Sequence, residues 1–164
     1  MAWTSPKTWA SGDVLTASDM NTYVRDNSLY LLTSRIQSYR RTSGNYTISS
    51  SSFADVDGTN LAFTRTSNST QLEVIVSGGT SNSANDQNQF VLSLDGTDTP
   101  VLFFGGGTGG VTFCFMQVFT VTAGVSHTIK LRWRAVSGTG TLYGTNTADA
   151  FPAGCVSMTV QEIG

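Results

Sequence analysis

The chain has 164 residues, of which 39% are hydrophobic and only 12% charged, with a formal net charge of −2. That length holds one domain of ordinary size with a short appendage, and excludes two independent cores. The near-neutral balance offers no basic field to a phosphate backbone or an anionic membrane surface, so neither nucleic acid nor membrane is an expected partner.

Met1-Ala-Trp-Thr-Ser-Pro-Lys7 has no basic segment leading into an apolar one, and no later stretch is long enough to span a bilayer. The protein is expected to be made in a cytoplasm and to stay soluble, and Cys114 and Cys155 are expected as buried thiols rather than a disulfide. Trp3 and Trp9 flank Pro6 with no regular period. Two indoles at a terminus call for cover, either from a partner or from the segment that follows.

Thr16-Ala-Ser-Asp19 has the form of a capping box and predicts a helix start. From Asp19 to about Gln37, Met20, Val24, Leu31, Leu32 and Ile36 recur at spacings of three to four, with Asn27 in the same stripe. The pattern predicts an amphipathic helix of about four or five turns. Its stripe either packs on the chain's own β domain or self-associates, in which case Asn27 would fix register as a polar residue in an apolar seam.

The N-terminal run Trp3…Trp9-Ala-Ser-Gly12-Asp-Val-Leu-Thr16-Ala-Ser-Asp19-Met-Asn21-Thr-Tyr-Val-Arg25-Asp26-Asn27 resembles the opening of many small tail, fibre and head-surface proteins of tailed bacteriophages. The resemblance implies a virion component assembled in the host cytoplasm, commonly threefold. Trp3, Trp9, Met20, Tyr23, Val24, Asn27 and Leu31 are then the expected anchoring or oligomer-interface residues. The expected partners are the chain itself, as a homotrimer, and a major capsid or tail protein.

From Arg41 onward period-two alternation takes over, so 1–40 is expected as an anchoring arm and helix and 41–164 as a β head. His127, Ile129, Leu131, Trp133 and Ala135 share one face of the clearest strand, with Thr128, Lys130, Arg132 and Arg134 on the other. Val111–Thr122 has apolar residues on both faces, Phe113, Phe115 and Phe119 against Cys114, Met116 and Val118, and is expected to be covered on both. Asp57-Gly58 and Asp95-Gly96 mark tight turns. About eight strands without intervening helices predict an antiparallel two-sheet jelly-roll sandwich preceded by one short amphipathic helix. The stretches Phe53–Leu61, Ser126–Arg134 and Gly140–Tyr143 also resemble the jelly-roll heads of phage fibres, similar to tumour-necrosis-factor-type trimers.

No chemistry is expected. One histidine, His127, stands on an apolar strand face, where it reads as a core or interface residue, and Asp55 and Asp57 lack the further oxygens of a calcium loop. Gly105–Gly110 has no Gly-Lys-Ser/Thr ending and precedes a strand, so it is not a phosphate loop. Neither catalytic residues nor a metal or other cofactor are expected, and the leading role is a structural virion protein, a capsid decoration or short fibre. The alternative is a tail-associated module that binds a host surface glycan through long polar loops, Thr80–Gln89, Gly105–Gly110 and Gly144–Gly154, with Phe104, Tyr143 or Phe151 stacking on sugar. The basic row Lys130, Arg132, Arg134 reads as a solvated face or a salt-bridged subunit contact.

Overall fold

The computed structural model describes residues 4–5, 7–28, 36–144 and 154–163. The chain divides into two compact units, Met1–Gln37 and Ser38–Gly164.

In the first unit the capping box forms as its spacing predicts. Thr16 lies in extended backbone, its hydroxyl accepts from the Asp19 N–H at 3.1 Å, and its own N–H donates to the Asp19 carboxylate at 3.1 Å. Two donors that a helix start leaves orphaned are thus satisfied reciprocally. The helical turn Ala17–Asp19 then widens into a π-helical stretch, Met20–Asp26, instead of continuing as an α-helix. A π-helix is rare and is normally a single inserted turn. The helix does not run on to Gln37, because Ile36 opens a strand, β1 (Ile36–Arg40). Ile36-Gln-Ser-Tyr-Arg40 fits a period of two as well as Ile36 fits the helical stripe, and Tyr39 packs on the β core, so tertiary pairing decides the conformation. Leu31 and Leu32 lie outside the described residues.

The strands that follow are β2 (Tyr46–Ile48), β3 (Ala54–Asp55), β4 (Ala62–Thr66), β5 (Gln71–Asn82), β6 (Gln87–Leu94), β7 (Thr97–Asp98), β8 (Phe103–Gly106), β9 (Val111–Thr120), β10 (Ser126–Ala135), β11 (Gly140–Leu142) and β12 (Ser157–Glu162). They make two antiparallel sheets, one ordered β1-β12-β5-β11-β2 with β9 on β5, the other β3-β10-β6-β7 with β4 on β10 and β8 on β6. β12 covers Leu72–Ser77 of β5 and β11 covers Thr80–Asn82, while β9 takes the opposite edge of β5. β11 and β12 are therefore two segments of one strand position, and so are β1 with β2, β3 with β4 and β7 with β8. Eight positions result. Numbered along the chain they run 1-8-3-6 in one sheet and 2-7-4-5 in the other, which is the paired Greek-key order of a jelly roll.

The sheets enclose one apolar core. His127, Ile129, Leu131, Trp133 and Ala135 of β10 are all buried, as the alternation predicts, and Leu72, Val74 and Val76 of β5 face them with Met158 and Val160 of β12. Aromatic rings run through the middle: Trp133 stacks on Phe90 at 5.6 Å between centroids, Phe90 lies 4.9 Å from Phe113, and Phe113 5.0 Å from Phe103. Each fully buried ring of this kind contributes roughly 1.5–3 kcal/mol from burial. The β6–β7 hairpin turns at Asp95-Gly96, both with positive φ (52° and 87°), the backbone that an Asp-Gly pair adopts at low cost in a two-residue turn. β9 departs from expectation. Phe113 is buried and Phe115 and Phe119 pack on the core, but Cys114 and Met116 are exposed and Val118 is 36% exposed, so only one face of this strand is covered by the described residues. Both cysteines are free, Cys155 half-buried and Cys114 exposed, so the expected buried pair of thiols holds for neither in full.

Candidate functional site

The residues of the N-terminal motif have distinct jobs within the first unit. Gly12, at φ +96°, turns the chain so that Asp13 accepts from the Ala10 N–H at 2.9 Å and donates its own N–H to the Ala10 carbonyl at 3.1 Å. Thr16 and Asp19 close the capping box, and Lys7 lies 3.4 Å from the Asp19 carboxylate with its ammonium 4.4 Å above the Trp9 ring. Asn27 is 4% exposed, and its amide reads the Thr4 backbone from both sides: the Thr4 N–H donates to Oδ1 at 3.0 Å and Nδ2 donates to the Thr4 carbonyl at 2.8 Å. The arm before the helix is thereby clamped to the helix end as a strand would be to a neighbour.

The apolar members of the motif are the ones left over. Trp9 is 42% exposed, Met20 43% and Val24 50%, with Tyr23 half-buried. Trp3 and Leu31 lie outside the described residues. Val14 and Leu15, at 77% and 56%, extend the apolar surface; sequence periodicity missed them because they precede the cap and belong to no helical stripe.

On the β unit, the outward row of β10 is tied to its own chain. Lys130 sits 2.8 Å from Asp55, and Arg132 bridges Asp55 at 3.1 Å and Asp98 at 2.5 Å. With Ser93 and Gly96, Asp55, Lys130 and Arg132 line an open cavity of about 310 Å3. Among the described residues Arg134 differs from its neighbours in bonding only neutral oxygens, those of Gln89 and Ser51. Asp57 belongs to a turn: it accepts from the Thr59 and Asn60 N–H groups at 2.9 and 3.0 Å and from the Tyr46 hydroxyl at 2.6 Å. Burial pushes its carboxyl up, but Tyr46 and those N–H groups outweigh it and hold the group well below the usual range. Among the described residues no cluster of three or more His, Cys, Asp or Glu is placed to hold a metal ion.

His127 is buried with an oxygen at each ring nitrogen, Asp95 Oδ2 at 2.7 Å from Nδ1 and the Thr122 carbonyl at 3.2 Å from Nε2. Only the imidazolium can donate to both. The bond to Asp95 raises its pKa above the ordinary 6.5, helped by Thr122 and opposed by burial, while Asp95 is lowered from 3.8, first by His127. The histidine's contribution to stability is therefore complete below pH 6.5 and is lost as pH rises through the raised folded value; the aspartate's is complete above 3.8 and lost on acidification. This is the chain's single histidine. Melting temperature is expected to fall as pH rises above 6.5 in the native chain and to stay level in His127→Gln; an equal fall in both would assign the titration elsewhere.

The end of the sandwich expected to carry long polar loops is tied together by hydrogen bonds on its β5–β6 side. Asn82 and Asn88, 1% and 0% exposed, bond to each other at 3.0 Å, and Asn88 also donates to Thr80 Oγ1 and the Ser81 carbonyl, each at 2.7 Å. Thr80–Gln89 is therefore a tight hairpin end and not a long loop. Tyr143 donates its hydroxyl to Ser81, Phe104 stands 64% exposed on β8, and Phe151 lies outside the described residues.

No protein-family model matches the chain, and no curated protein sequence matches it. Among solved structures it is similar to one described as infectious bursal disease virus Gt strain, with a TM-score of 0.43 and 16% sequence identity over 79% of this chain. The similar part is 38% of that chain's length.

Proposed function

We propose that this chain is a structural protein of a tailed-bacteriophage particle, a homotrimeric capsid decoration or short fibre protein. In this reading the N-terminal unit attaches to a major capsid or tail protein, and the jelly roll is the body it carries. The observation that supports it is how the motif divides its work. Its polar residues, Asp13, Thr16, Asp19 and Asn27, are spent on holding the unit's own backbone, while Trp9, Val14, Leu15, Met20 and Val24 are left exposed. A segment this short that fixes its shape with polar bonds and displays its apolar side chains is suited to burial against another chain. A jelly roll with satisfied strands serves such a role without any catalytic group.

Attachment is tested by particle assembly in the presence of Trp9→Ala/Met20→Ala/Val24→Ala. Each lost side chain removes roughly 1–3 kcal/mol of interface burial, so incorporation measured on purified particles should fall at least about tenfold. The isolated variant should keep the melting temperature of the native chain. Incorporation at native levels would overturn the anchoring role. Light scattering of the native protein should give three times the chain mass, and a monomer would remove the trimer.

A further inference from the structure

We propose that the outer face of the sheet containing β10 and β6 is a saccharide-binding platform, built on the row Phe53, Arg134, Gln89 and Phe104. Strand register sets the row: Arg134 lies opposite Gln89, and Gln89 opposite Phe104. Phe53 leads into β3 on the far side of β10, with the Arg134 guanidinium 4.8 Å from its ring centre. Two phenyl rings thus bracket a guanidinium and a carboxamide across four strand positions, a span of roughly 14 Å at about 4.8 Å per spacing.

The chemistry of the row fits a polyhydroxylated ligand. Arg134 donates Nε and Nη2 to the single oxygen Oε1 of Gln89 at 3.0 and 2.8 Å, and Nη1 to the Ser51 carbonyl at 3.2 Å. Two planar groups are held edge to edge before any ligand arrives, with N–H donors left over on both for vicinal hydroxyls. Phe104 turns a phenyl ring to solvent, while its neighbour Phe103 packs in the core. An exposed ring beside fixed donors can stack on the C–H face of a sugar while the donors take its hydroxyls. The adjoining cavity points the same way. Asp55, Ser93, Lys130, Arg132 and Gly96 line it, so its carboxylate, hydroxyl, ammonium and guanidinium groups offer partners to sugar hydroxyls.

The inference is independent of how the chain attaches to a particle. The full chain is screened on an array of immobilised oligosaccharides of defined structure, and retained glycans are titrated in free form against native and variant protein. At least one glycan should be retained, and Phe104→Ala and Gln89→Ala should each weaken it at least about tenfold, equivalent to about 1.4 kcal/mol. Phe104→Trp should keep binding, and so should Trp9→Ala/Met20→Ala/Val24→Ala, which separates this face from the anchoring surface. Phe104 is exposed, so its variants should melt with the native chain. An array that retains no glycan, or a glycan held equally well by Phe104→Ala, overturns the proposal.

Discussion

Glu162→Gln should cost about 3–5 kcal/mol of folding stability, the usual result of removing one partner from a buried ion pair. The side chains of Arg65 and Glu162 are 4% and 3% exposed, with Arg65 Nη2 3.1 Å and Nε 3.2 Å from Glu162 Oε1. Arg65 stands on β4 in one sheet and Glu162 on β12 in the other, so the pair links the two layers. The same carboxylate oxygen takes the Asn68 N–H at 3.1 Å, which fixes the chain as it leaves β4. Neither Nη1 nor Nη2 of Arg65 has a hydrogen bond of good geometry among the described residues, so the guanidinium depends on the charge of Glu162. Glutamine keeps the shape and removes that charge. For a domain of this size the loss corresponds to a melting point lower by on the order of 10 °C.

The partner experiment decides what the pair is for. Arg65→Met/Glu162→Leu removes both charges and leaves apolar volume, and such replacements are commonly neutral or stabilising by about 1–4 kcal/mol. The double variant should therefore recover most of what Glu162→Gln loses, read by equilibrium unfolding in urea. A single variant within about 1 kcal/mol of native would mean that solvent relaxes around Arg65 and the pair carries little.

The parts of the fold that were legible in the sequence are those where one covered face stamps a period of two. β10 alternates without error because its inner residues meet the other sheet and its outer ones water. β9 shows the limit of that signal. Both its faces are apolar in sequence, and periodicity reports composition without reporting which face has a neighbour. The interruptions that split four strand positions into pairs of short segments were also hidden, since each segment is two to six residues and carries at most three points of a period. The capping box was legible because its two bonds are three residues apart. The Asn27 clamp was not, because its partner is the backbone of Thr4, 23 residues away, and any residue type supplies that backbone. In the stripe of Met20 and Val24 the asparagine looked like part of a seam. Its buried amide is instead occupied within its own unit, while Met20 and Val24 stay exposed. On the outer row of the sheet, Arg134 was visible as a basic residue and Phe104 as an aromatic able to stack on sugar, but the place of Phe104 on a strand was not, because it follows Leu102-Phe103 and precedes a glycine run, a context that reads as loop.

Asn88→Ala should destabilise by about 3 kcal/mol, since it orphans buried polar groups at roughly 1–3 kcal/mol each. Asn88 is fully buried at the end of β6 and works in both directions, donating to Thr80 Oγ1 and the Ser81 carbonyl and accepting from Asn82 Nδ2. Asn82 in turn holds the hairpin, accepting from the Ala84 N–H at 2.9 Å and donating to the Ser137 carbonyl at 2.9 Å. Asn88 thus supports the β5–β6 turn directly and, through Asn82, the β10–β11 turn. Asn88→Asp should be worse than alanine, because it removes the donors and adds a carboxylate with no cation beside it in the described network. Gly140→Ala attacks the same network from across the gap, as a Cβ there would come within 2.4 Å of Asn88 Oδ1. If the amide is the common support, Asn88→Ala combined with Gly140→Ala should cost clearly less than the two single losses added together, and amide exchange at Ser83–Asp86 should quicken in all three variants. Additive losses with unchanged exchange would mean that the turns stand by themselves and that Asn88 merely fills space.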